Sequence, residues 1–388
     1  MIKVTPQSSA TLARKLQPSK FWDGSPIDAL ILEGGGTKGT AYSGLVRGLE
    51  EKGLLGGIKK FAGTSAGSQT AALLAFGYTA DEIKAAAANT DWNRLMDADC
   101  CCFSDCGCGD VWTTCSCMAA CPSATSRLVC NLAYFKGRFI ETSIDKLICE
   151  KLERLEAAGE ITKPAARKNW KQCTFKELYD LRGIELKLGV IEVELQKFMF
   201  LSRHSAPDMA VSKAARASSS IPFVFQPVRY RGVIKDDEGV DRQNCLFCDG
   251  ALVGNLPVEA FVDRENPPKV LACDLVSKSN YGQLMGNRRK VAGLCSYMVA
   301  IMNTIAAAAQ ASAGYAPGHT RSGQNIDIVH IDVGDAGLLD TAMSRRDLGS
   351  MDEHGREAID WYLTGAAPAS SALFQADGPV TSQPVHHS

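Results

Sequence analysis

Short apolar runs alternate along the chain with stretches of helical period. Residues 28–33 (DALILE) form a brief apolar run that ends in glycines, which predicts a buried strand. Residues 40–53 then space their apolar positions as a helix does and stop at Gly53. The plan repeats with a short strand near 58–62, a tight turn at 63–67, and an Ala/Leu helix to about Phe76. Two strand–turn–helix units in succession predict βαβ architecture, and such crossovers require a parallel sheet.

Further along, 80–96 reads as helix, and 138–182 as charged helix broken at Pro164. Strands are expected at 184–201, a helix near 207–218, and a hairpin over 228–248 with an acidic tip at 235–241. A strand at 269–275, an apolar helix at 291–313, a strand at 326–333 and a helix at 350–363 complete the pattern. The expected fold class is α/β: a central, mostly parallel sheet with helices on both faces, in one domain over 28–365. Residues 1–27 read as a solvated N-terminal arm. The Ala/Ser/Pro/Gln-rich stretch 366–388 reads as a disordered tail.

Hydrophobic residues make up 45% of the chain and charged residues 22%, an ordinary globular composition. A net charge of −1 gives no global attraction to nucleic acid or to anionic lipid, so contact with a membrane has to be local or apolar. The first residues contain no apolar core of the secretory type. Residues 291–313 are uncharged but Ala-rich, which suits a core or interfacial helix better than a membrane span. The expected location is cytoplasmic or peripheral at a membrane.

Fifteen cysteines are present, nine of them between 100 and 130, inside an interruption of the pattern at about 97–130. Their CCC and CxC spacings do not match the C-x₂-C pairs of ordinary zinc sites, so the spacing gives no positive metal signal and no metal site is assigned. Free thiols, disulfides, a metal or cluster site and S-palmitoylation of the CCC remain open. Cys245 and Cys248 alternate within an apolar strand and read as two buried cysteines.

The chemistry concentrates in three short segments. Gly63-Thr64-Ser65-Ala66-Gly67 is G-x-S-x-G between a predicted strand and a predicted helix, a turn so sharp that it holds the serine outward at a helix N-terminus. Upstream, Gly34-Gly35-Gly36-Thr37-Lys38-Gly39 also joins a strand to a helix and aims backbone N–H groups at one point. Such a loop suits a phosphate or an oxyanion. The nucleophile turn one βα unit later favours the oxyanion, because a dinucleotide site has no use for it. A serine needs a base. Asp249-Gly250-Ala251 closes an apolar strand and supplies a carboxylate at a strand end. His330 alternates with apolar neighbours inside a strand, and a Ser65…Asp249…His330 order would suit a Ser-His-Asp hydrolase. A non-catalytic lipid- or nucleotide-binding module using the 34–39 loop is a third reading.

These segments together resemble the patatin-like phospholipase family, which pairs a GGGx[RK]G loop, a G-x-S-x-G elbow and a late D-G-[GA]. Here they stand as GGGTKG, GTSAG and DGA, with ARASSSIPFVFQPV at 215–228 and Asn255 and Pro257 adding to the likeness over roughly 28–365. The resemblance implies a three-layer α/β/α fold and a Ser65–Asp249 dyad without histidine. It implies an oxyanion hole from Gly34, Gly35 and Gly36, with Lys38, Gly39, Gly63, Gly67, Gly250 and Ala251 in support. The implied reaction is hydrolysis of a carboxylic ester of a phospholipid, or next of an acylglycerol, through a Ser65 acyl-enzyme. No cofactor or calcium is expected, and the implied partner is lipid at a membrane or micelle interface.

Overall fold

The computed structural model describes residues 17–95, 131–263, 265–277, 325–334 and 344–367, with a few isolated positions between them. The elements begin with β1 (Ala29–Leu32), α1 (Tyr42–Glu51), β2 (Lys60–Thr64), α2 (Ala66–Ala75), α3 (Ala80–Asn89), β3 (Ala133–Phe135), α4 (Arg138–Ala157) and α5 (Phe175–Arg182). There follow β4 (Glu185–Glu192), β5 (Lys197–Ser202), α6 (Val211–Ser218), β6 (Phe223–Phe225), β7 (Val228–Tyr230), β8 (Ile234–Lys235), β9 (Asp241–Arg242), β10 (Cys245–Asp249), β11 (Val270–Val276), β12 (Ile326–Asp332) and α7 (Arg345–Thr364).

Strands β12, β11, β1, β2 and β4 run parallel in that order, and β5, β10 and β7 join antiparallel. Of these, only β4 and β5 are joined by a short hairpin link, over 193–196, which a parallel crossover cannot use. All four residues of β1 are buried, as expected of a strand covered on both faces. Leu30 and Leu32 face a large core shared with the helices, whereas Ala29 and Ile31 face a smaller one closed by a 3₁₀ turn at Val258–Phe261. The mostly parallel sheet between layers matches the expected α/β class.

The two edges of β4 fix where chemistry can occur. Strand β5 pairs along 187–192 of β4, while β2 pairs with 185–189 and β10 with 190–192. Strands β2 and β10 therefore share one edge of β4, one ending where the other begins. Thr64 is level with Gly189 and Asp249 with Val190. The residues that follow β2 and end β10 are thereby brought face to face.

Some expectations shift. The last helix begins at Arg345 rather than 350, because Ser344 and Asp347 form a reciprocal capping box. Residues 17–27 stay largely exposed but are tied to the domain at a few points. The Ser19 N–H donates to the Ile328 carbonyl, the Ile328 N–H donates to Ser19 Oγ, and Asp23 pairs with the buried Lys269 at 2.5 Å. Most of the cysteine segment 97–130, most of the helix expected at 291–313, and residues 368–388 lie outside the described residues. Among the described residues, no helix is long and apolar enough to cross a membrane. Cys245 and Cys248 are buried and unpaired with each other, as read from the sequence.

Candidate active site

Ser65 sits between β2 and α2 with φ 53° and ψ −123°, a conformation that L-residues rarely adopt. The turn is held by close backbone approach. A Cβ on Gly63 would overlap the Gly67 carbonyl, and one on Gly67 would overlap the Leu32 carbonyl, so both positions require glycine. The result points Ser65 Oγ at Asp249, donating to Oδ2 at 2.7 Å.

Asp249 ends β10 and is almost fully buried. Burial raises its carboxyl from the ordinary range to about 7, against the opposing hydrogen bonds from the Ala251 N–H (2.8 Å) and Ser65 Oγ. An aspartate of ordinary pKa is a poor base near neutrality, and this environment removes that deficiency. The Ala251 N–H and the end of β10 fix the orientation of this carboxyl.

The Gly-rich loop lies directly over the nucleophile: an ideal Cβ on Gly34 would stand 3.0 Å from Ser65 Cβ. Of the three glycines expected as donors, Gly34 already gives its N–H to the Asn255 carbonyl at 3.1 Å. Gly36 has φ +59° and opens a 3₁₀ turn, Gly36–Ala41, that carries Lys38. Lys38 is buried and donates from Nζ to Ser277 Oγ at 3.0 Å, tying the loop to the end of β11. Glu33, just before the loop, accepts from Asn255 Nδ2 (2.7 Å) and the Leu275 N–H (2.6 Å). Burial and the neighbouring Asp274 charge push the Glu33 carboxyl upward. Gly39 packs against Ala66, and Gly250 against the Gly189 carbonyl. The sequence hinted at Asn255 but gave no signal for Glu33 or Ser277, whose roles depend on strands far apart in the chain.

His330 does not join this group. Its Nδ1 is 2.7 Å from Asp274 Oδ1, across the β11–β12 pair. Burial opposes its charge, but Asp274 and Glu33 outweigh it and the ring is raised. Three strand spacings separate β12 from β2, roughly 14 Å. The structure does not bring Ser65, Asp249 and His330 together: the carboxylate beside His330 is Asp274, and Asp249 contacts Ser65 without it. His330→Ala should lower stability, because Asp274 loses a buried partner. It should keep turnover of a soluble ester within about threefold, as expected for a residue outside the reacting groups. A several-hundredfold loss in a folded variant would restore histidine as the base.

A cavity of about 140 Å³ opens beside Ser65. Gly36, Thr37 and Gln69 line it together with Ser65, and so do Leu73, Ile83, Ile144 and Phe225. Its surface is mostly apolar, which suits a hydrocarbon chain and a desolvated carboxylate alike. Among the described residues, no cluster of three or more His, Cys, Asp or Glu side chains has metal-binding geometry.

Residues 30–262 match the family model described as Patatin-like phospholipase. The chain belongs to the patatin-like phospholipase family. It is 29% identical over 245 residues to Uncharacterized protein YqhO of Bacillus subtilis (strain 168), covering 62% of this chain and 68% of that one. It is 26% identical over 242 residues to Uncharacterized protein R571 of Acanthamoeba polyphaga mimivirus, covering 62% and 63% respectively. Among solved structures, VipD from Legionella pneumophila aligns with a TM-score of 0.49 at 17% identity, over 90% of this chain and 70% of that chain. ExoU, in its heterodimeric complex with SpcU from Pseudomonas aeruginosa, aligns with a TM-score of 0.46 at 20% identity, over 87% and 51%.

Proposed function

We propose that the protein is a lipid acyl hydrolase of the phospholipase A type, working through a Ser65–Asp249 dyad. The observation that carries this reading is the 2.7 Å contact from Oγ of Ser65, which lines an apolar cavity, to a buried carboxyl raised to about 7.

Ser65 Oγ attacks the ester carbonyl while its proton passes to Asp249 Oδ2. The N–H groups of Gly35 and Gly36 stabilise the oxyanion, since that of Gly34 is already engaged. Collapse breaks the bond to the alcohol oxygen, which takes the proton back from Asp249 and leaves as the lyso-lipid. Water then gives a proton to Asp249 and attacks the acyl-enzyme, releasing the fatty acid and restoring Ser65. The acyl chain occupies the apolar cavity, so the hydrolysed group is an acyl ester rather than a headgroup phosphate. Phospholipids are the first substrate class and acylglycerols the second, both presented at a membrane or micelle interface.

A fluorophosphonate probe should label Ser65, and purified protein should release free fatty acid from mixed phospholipid–acylglycerol micelles. Labelling without fatty acid release from any lipid class would move the substrate away from lipids. Absence of labelling would overturn the hydrolase reading and leave a lipid-binding module.

A further inference from the structure

The nucleophile's own backbone N–H poses a problem that the sequence did not reveal. Ser65 follows the last residue of β2 in a rare conformation, so its N–H leaves the strand ladder, and a buried N–H needs an acceptor. That acceptor is Ser218 Oγ, at 3.0 Å. Ser218 is the last residue of α6 and is fully buried, and its hydroxyl donates to the Gly189 carbonyl at 2.6 Å. Gly189 is the residue at which β4 passes from pairing with β2 to pairing with β10. Two residues on, the Ser220 carbonyl accepts the Asp249 N–H at 2.9 Å. The segment 218–220 therefore holds the nucleophile at one end and the base at the other. Arg216 anchors the segment in turn, its buried guanidinium donating to the Gln226 carbonyl at 2.6 Å and also bonding the Lys136 carbonyl and Ser220 Oγ.

We infer that Ser218 is a positioning residue for Ser65, setting the distance and angle at which Oγ meets Asp249. The inference rests on the hydrolase reading above. With its proton given to Gly189 and a lone pair given to Ser65, the Ser218 hydroxyl acts on the nucleophile's backbone, whereas its neighbour Ser219 lines the cavity. Removing it frees the Ser65 N–H to seek another acceptor and lets the elbow relax.

The test compares wild type, Ser218→Ala and Ser218→Thr. The measurements are kcat and KM on a soluble ester, the rate of Ser65 phosphonylation by a fluorophosphonate, and Tm. Ser218→Ala should lower kcat and the phosphonylation rate by about tenfold to a hundredfold, as misplacement of a reacting atom does. Its KM should stay within about twofold. Ser218→Thr keeps the hydroxyl but adds a methyl group to a full site, so it should lower Tm while returning most of kcat. A purely structural residue would show the reverse pattern, with kcat following Tm. Should Ser218→Ala fail to fold, Ser218→Cys takes its place, since the thiol keeps the volume but hydrogen-bonds weakly. Wild-type kcat in the hydroxyl-free variant, equal losses in the alanine and threonine variants, or a loss confined to KM would each overturn the inference. A wild-type protein that the probe does not label would instead overturn the hydrolase reading on which it rests.

Discussion

Asp249→Asn should lower turnover of a soluble ester by about a thousandfold or more and should also make the folded protein more stable at alkaline pH. The first effect follows from its place 2.7 Å from Ser65 Oγ, where an amide cannot take up the serine proton. The second follows from burial. Below the ordinary carboxyl pKa both folded and unfolded chains hold the proton, and the site costs nothing. As pH rises from there to about 7, the unfolded chain releases the proton while the folded chain keeps it, so stability falls. Above about 7 the penalty is complete, on the order of 4 kcal/mol. Asparagine removes that penalty and retains an acceptor for the Ala251 N–H. Its Tm advantage over wild type should therefore be large at pH 8 and small at pH 4.

Ser65→Ala should lose activity to a similar degree, but it leaves the buried carboxyl without its hydroxyl donor and so brings no such alkaline gain. Wild-type kcat/KM should rise with pH through about 7 and then level off, because the base must be unprotonated to act. Near-normal turnover by either variant, or a stability gain for asparagine that does not depend on pH, would sink the dyad assignment.

Much of this site is legible in the sequence because its parts are local. Ser65 is announced by flanking glycines that a strand-to-helix turn demands, and Asp249 by an apolar strand that stops at a glycine. The parallel pairing of β1 with β2 follows from the strand–helix alternation, since a crossover permits little else. The place of β11 beside β1 does not, because no α-helix joins it to the strand before it. What escaped is whatever depends on two distant segments meeting. The commitment of the Gly34 N–H to the Asn255 carbonyl joins residues on separate strand–loop units. The Glu33 carboxylate, closed over by Leu275 and Asn255, has the same character. Ser218 lies in a stretch, ARASSSIP, whose three serines are equivalent as letters. Only the meeting of α6 with the elbow separates Ser218, which bonds the nucleophile, from Ser219, which bonds Gln69, and Ser220, which bonds Arg216. The anchoring of the described part of the arm, 17–27, is hidden for a related reason. Its polar residues look solvated until edge strand β12 offers Ser19 a carbonyl and an N–H.

Gly36→Ala should reduce kcat by about a hundredfold while leaving KM nearly unchanged, the signature of a lost transition-state donor. Gly36 holds φ +59°, lines the cavity beside Ser65, and begins the 3₁₀ turn that Lys38 pins to Ser277. An alanine kept in that conformation is strained by about 1–2 kcal/mol. The loop relieves the strain by rotating the peptide, which carries the Gly36 N–H away from the oxyanion. On the proposed mechanism the loss is not replaced from Gly34, because Asn255 occupies that N–H. The ester carbonyl of the bound substrate carries less charge than the oxyanion, and ground-state affinity therefore changes little. Steady-state kinetics on a soluble ester, with Tm measured in parallel, separate the outcomes. A fall in kcat with a Tm loss of only a few degrees supports the donor role, whereas a rise in KM at constant kcat would make the loop a substrate-binding element instead.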